Sequence, residues 1–108
     1  DVLQFKQSLT ERAGRITAAY DAIIMPTIPM IAPPIAQFKG SDAAERDPFI
    51  IVIRNTSIGN LLDRCSLSIP CHDTGAAPVG FMLMGENMAD KRLLGIGLSV
   101  DSLLSPNL

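Results

Sequence analysis

The sequence is short of the residues on which most metal and redox chemistry rests. Its 108 residues hold one histidine, two cysteines and no tryptophan. A single imidazole, His72, leaves most metal constellations without their ligands. It stands in a Cys71-His72-Asp73 run. Neighbours on one extended segment point in different directions, and no second cluster completes four ligands, so we read the run as a solvated turn. Cys65 and Cys71 are too few for a disulfide scaffold; they fit buried, reduced thiols of a cytoplasmic protein. Charge of one sign is missing too. A net charge of -2 gives no electrostatic case for nucleic acid or for an anionic membrane. The longest apolar runs fall far short of the roughly 20 residues that span a bilayer. No charged start followed by an apolar core suggests a signal peptide. The first residue is Asp1 rather than Met, inside an amphipathic pattern, as in a chain cut from something longer.

Catalytic signatures are equally scarce. There is no glycine-rich phosphate loop, no G-x-S-x-G and no H-E-x-x-H. Asp42, Glu45 and Asp47 crowd one stretch but lack the spacing and closing Glu of a calcium loop, and read as solvated charges. Ser57, Ser66 and Ser68 would need a base within hydrogen-bond reach to act as nucleophiles. His72 is the only imidazole, and no elbow presents a serine to it, so Ser66 and Ser68 are expected to be strand residues bonded to backbone. We therefore expect no catalytic residue, no metal ligand and no cofactor site. Arg54 is the polar residue that stands out. It follows Phe49 and four β-branched residues, and its planar fork suits a substrate carboxylate or amide carbonyl. The competing reading is an ion pair with Asp63 or Asp47.

What is present is apolar patterning, with 47% hydrophobic residues and 19% charged. Val2, Phe5, Leu9, Ala13, Ile16 and Tyr20 recur at helical spacing. A-I-I-M-P-T reads as a short buried strand that Pro26 and Pro29 stop. The proline-rich segment after it should cross the rim of a sheet. The polar stretch 37–48 reads as a loop. Phe49–Ile53 has strand propensity, with a helix as the alternative. Thr56 or Ser57 could cap a short helix through Arg64, with Leu61 and Leu62 facing inward. Strands are predicted at Ser66–Cys71 and Val79–Met84. The link between them is too short for a parallel crossover, so they should form an antiparallel hairpin. Asn87 is a candidate cap for a closing helix carrying Leu93, Ile96, Val100 and Leu103. Gly95 and Gly97 inside it point to close packing or to fraying. The fold class is α/β. Three strands make a thin sheet with two free edges, expecting cover on both faces.

Three blocks carry a resemblance. D-A-I-I-M-P-T-I-P resembles a pattern of Asp, apolar strand and P-T-x-P. T-S-I-G-N-L-L-D-R-C-S-L-S-I-P-C resembles T-x-P-x-N-L-x-G-x-P-x-x-S-x-P-C, and A-P-V-G-F-M-L-M-G resembles L-P-V-G-L-Q-L-I-G. In this order they resemble the C-terminal portion of the amidase-signature family. Ile58, Asp63 and Cys65 replace its usual Pro, Gly and Pro, which suggests small-substrate amidases rather than the tRNA-linked amidotransferases. The resemblance implies that residues 1–108 are the C-terminal part of a larger α/β/α domain with a mixed sheet, ending in a β-hairpin and a closing helix. It implies amide C–N hydrolysis through a Ser–cis-Ser–Lys arrangement, with backbone N–H groups holding the oxyanion. No G-G-S-x-G-G-S-like run exists here, so no catalytic residue carries over and the segment alone should be inert. In tRNA-linked relatives an acidic residue precedes the T-x-P-x-N block; Ile53 stands there, beside Arg54. The expected partners are a small-molecule amide in the full-length parent and the missing part of the domain, or a second copy. The competing reading is an independent α/β module that binds a protein through its apolar edges.

Overall fold

The computed structural model describes residues 1–38 and 42–104, and for residues 37, 38 and 42–48 only the backbone is considered. Helix α1 spans Val2–Thr17, and the Asp1 side chain caps it by accepting from the Leu3 N–H at 3.1 Å. Strand β1 is Ile23–Pro26. A 3₁₀ turn at Ile35–Phe38 interrupts the proline-rich link, and helix α2 spans Asp42–Leu61. Strands β2 (Ser66–Pro70) and β3 (Gly80–Met84) follow, then helix α3, Asp90–Leu104. No described helix is long and apolar enough to cross a membrane.

The three strands form one antiparallel sheet in the order β1-β3-β2. The expected hairpin is present, with Leu67 opposite Leu83 and Ile69 opposite Phe81. β1 joins the other side of β3, with Ile24 opposite Leu83. Alternation then assigns the faces. Leu67, Ile69, Phe81 and Leu83 point to α3, where they meet Leu93, Ile96 and Val100. Met82 and Met84 point the other way, toward α2, and both are buried. The central strand is thus covered on both sides, while Ile24 on β1 stays 61% exposed beyond the reach of α3.

Several expectations are corrected. The polar stretch 37–48 is not a loop throughout, because α2 already begins at Asp42 and runs unbroken through Phe49–Ile53. The sheet selects the helix: Val52, Asn55, Gly59 and Leu62 form a stripe at helical spacing, half-buried or buried. Two of those four are Asn and Gly, so hydrophobic periodicity does not register them. Thr56 and Ser57 cap nothing. Their hydroxyls donate back to the Ile53 carbonyl at 3.1 and 2.7 Å, inside the helix. Leu62 is buried but Leu61 is 46% exposed.

The end of α2 explains one departure from the family pattern. Asp63 has φ of +54°, the left-handed region, while the Arg64 N–H bonds the Gly59 carbonyl and the Asp63 N–H that of Asn60. This is a Schellman closure, whose left-handed position favours glycine. Asn87 secures Asp63 there by donating to its carbonyl and its carboxylate at 2.8 and 3.0 Å. Asn87 is therefore not the cap of α3; Ala89 precedes that helix and accepts from the Leu93 N–H. Leu103, assigned to the inner stripe, is 78% exposed. The apolar stripe of α1 is also largely bare, with Val2 and Phe5 at 81% and 68%, since no other element of the chain packs closely on it.

Candidate active-site cleft

At one end of the sheet β1 and β2 finish and β3 begins. A cleft of about 520 Å³ opens there between the strand ends, the proline-rich link and Val52 of α2. Its polar feature is a pair of hydroxyls. Thr27, directly after β1, and Ser68 of β2 meet with their side-chain oxygens 2.5 Å apart. They belong to strands that are not neighbours, since β3 runs between them.

Gly80 makes this meeting possible. A Cβ at Gly80 would lie 2.5 Å from Ser68 Oγ and 2.6 Å from Thr27 Oγ1. Without that atom the two side chains close over the central strand, and the Thr27 N–H also bonds the Gly80 carbonyl at 2.9 Å. The reading of Ser68 as bonded to backbone is thus corrected: its partner is a side chain on another strand. Ser66 packs against α2, where a Cβ on Gly59 would approach Ser66 Oγ to 3.0 Å. The Thr27–Ser68 pair escapes sequence reading because it depends on register across three strands. The available signal is Gly80, an isolated glycine beside an apolar strand run, which marks close approach.

His72 lines the same cleft. Its Nδ1 lies 3.3 Å from the Val79 carbonyl and 3.4 Å from the Val79 N–H, so the ring braces the mouth of the hairpin. Cys71 is exposed rather than buried, with Sγ 3.7 Å from the Val79 carbonyl; Cys65 is half-buried, its Sγ 3.1 Å from the Glu86 carbonyl. Both thiols are free. They flank the two ends of β2, and six extended residues separate them by roughly 20 Å, beyond the reach of a disulfide.

Arg54 lies exposed on α2 and is not among the residues lining the cleft. Its Nε–H donates to Asn55 Oδ1 at 3.4 Å. Asp63, one of the two partners considered for it, is engaged by Asn87; Asp47 lies outside the residues whose side chains are described. Asn55 is the buried polar residue that sequence reading passed over. It is 7% exposed, and its Nδ2 donates to the Pro26 carbonyl at 2.7 Å. That ties α2 to the last residue of β1, directly before Thr27.

Comparison with known proteins gives this geometry a context. Residues 2–94 match the family model Amidase. The chain is 34% identical over 93 residues to 2-amino-5-chloromuconic acid deaminase of Comamonas testosteroni, covering 85% of this chain and 20% of that protein. It is 34% identical over 87 residues to indoleacetamide hydrolase of Rhizobium radiobacter, covering 78% of this chain and 19% of that protein. In fold it resembles the crystal structure of the glutamyl-tRNA(Gln) amidotransferase amidase-type subunit from Thermotoga maritima. The TM-score is 0.68 at 21% sequence identity, over 92% of this chain and 21% of that one. The α/β arrangement of sheet and helices is therefore shared, and the chain spans about a fifth of the length of these relatives. With the family model matched over most of its residues, the chain belongs to the Amidase family.

Proposed function

We propose that residues 1–108 are the C-terminal part of one larger amidase domain, and that the whole protein hydrolyses the C–N bond of a small-molecule amide. The reaction proceeds through an acyl-enzyme. A serine oxygen adds to the amide carbonyl, the C–N bond breaks, the amine leaves with a proton, and water then cleaves the ester. The nucleophile and its proton relay belong to residues outside this segment, which contributes strands of the sheet and one wall of the substrate pocket.

One observation carries this reading. The three sequence blocks that resemble the family converge on a single cleft, through Thr27 of the first, Ser68 of the second and Gly80 of the third. Packing alone gives no reason for a polar pair and an obligatory glycine at an open sheet end, whereas a pocket wall does. Within the same reading Arg54 contacts the substrate by offering its guanidinium to a carboxylate or carbonyl away from the scissile bond.

The test uses the full-length protein and a panel of aliphatic and aromatic primary amides. Ammonia release, with hydroxamate formed when hydroxylamine replaces water, is the expected result. No ammonia from any member of the panel would remove the amidase reading and return the independent binding module to first place. The 108-residue chain alone is expected to release none.

A further inference from the structure

The geometry points to the Thr27–Ser68 hydroxyl pair as the contact that reads the carboxamide group, selecting uncharged primary amides with an apolar acyl part. This inference rests on the amidase reading above.

Each hydroxyl carries one proton and two acceptor lone pairs. At 2.5 Å the two oxygens share one hydrogen bond, in which either can donate. That bond consumes one of the two protons. The pair therefore presents one remaining O–H and, beside it, a lone pair of the other oxygen.

One donor next to one acceptor is the complement of a primary amide edge, where the carbonyl accepts and the syn N–H donates. Docking gives the run N–H to O–H to O–H to O=C, in which each bond polarises the next. A carboxylate presents two acceptors to this pair and leaves lone pair facing lone pair. A secondary amide in its favoured trans form carries its N–H on the far side, so its N-substituent takes the place of the syn proton. The pair thus separates a primary amide both from its N-alkyl analogue and from the carboxylate product.

The surroundings set the rest of the substrate. Ile28, Met30, Val52, Pro70 and Pro78 line the cleft, and no Lys, Arg, Asp or Glu does so among the described residues. No counter-charge is offered there to an ammonium or carboxylate on the acyl part. A volume of about 520 Å³ suits a small molecule.

Benzamide, N-methylbenzamide and benzoate are the probes, used with the full-length enzyme as substrates or as competitive inhibitors. The wild type should favour benzamide over N-methylbenzamide by about tenfold or more, and benzoate should bind weakly. Thr27→Val and Ser68→Ala should each lower kcat/KM for benzamide, or raise its inhibition constant, by about tenfold to a hundredfold, with little change for N-methylbenzamide. Thr27→Ser keeps the hydroxyl and should keep the preference. Circular dichroism checks that the variants fold; Ser68 is exposed on a sheet edge, so Ser68→Ala carries the test if Thr27→Val does not fold. Variants that retain the wild-type ratio of the two amides overturn the inference, as does a wild type that hydrolyses other amides but binds neither benzamide. Absence of turnover on every amide strikes the underlying reading instead, and this inference falls with it.

Discussion

Asn55 does at the scale of one side chain what a further strand would do for β1. The Thr27 N–H points inward to Gly80, so the Pro26 carbonyl before it points outward from the sheet. Asn55 Nδ2 meets that carbonyl at 2.7 Å, and Pro26 itself has no N–H to offer. A free edge is closed from above by a helix. Replacing Asn55 with Ala leaves a carbonyl without its donor and should cost about 1–3 kcal/mol, read as a lowered urea midpoint in the full-length protein. Asn55→Asp should cost more, because an acceptor-only group would then face the carbonyl. An unchanged midpoint in both would show that water serves Pro26 equally well. Asn55 Oδ1 also receives the Arg54 Nε–H, which fixes the guanidinium on this side of α2. Arg54→Ala should therefore raise KM about tenfold with kcat nearly constant, the pattern of a contact made equally in ground and transition states. Unaltered kinetics would remove Arg54 from the substrate's surroundings.

Among the elements, α3 shows how two similar glycines differ by contact alone. Gly97 is buried against β2, and a Cβ there would run into the Leu67 side chain; Gly95, two residues away, has nothing within 4 Å. Gly95→Ala should raise stability by about 1 kcal/mol through helix propensity. Gly97→Leu should lower it by about 1–3 kcal/mol, because the helix must lift from the strand. Melting temperatures of the two variants should move in opposite directions; a shift of the same sign in both would show that α3 does not rest on Leu67. The sequence raised close packing for both glycines and could not tell them apart. The hairpin and the inward stripe of α3 were readable because strand alternation and Leu, Ile and Val at helical spacing are local signals. Helix α2 was not, because its buried stripe includes Asn55 and Gly59, and its β-branched run is exposed at Phe49 and Ile50. The cleft was half legible. Its three motifs could be read one by one, but Thr27 meets Ser68 only through pairing across β3, which no local pattern encodes.

For the whole molecule, shape and surface point to missing contacts. The radius of gyration is 16.5 Å and the extents are 47 × 44 × 18 Å. A compact domain of about 100 residues has a radius near 13 Å. The chain is a slab, one sheet and its helices thick, and its apolar surface is left outside. Ile24 on the bare side of β1, Phe5 on α1, Ile50 on α2 and Leu98 on α3 are each more than half exposed. These residues lie on four elements and face different directions, so no single small partner covers them all. A larger domain wrapped around the slab does. In isolation the same surface should find other copies of itself, since burial of apolar area drives association whatever the partner. The 108-residue chain should sediment as a mixture of oligomers that grows with concentration and should bind a hydrophobic dye strongly. Co-expression with the rest of the parent protein should abolish both effects, because the intramolecular contacts then compete at far higher effective concentration. A monodisperse, dye-free monomer that unfolds cooperatively would mean that the slab is a finished fold, and its exposed side chains would need another explanation.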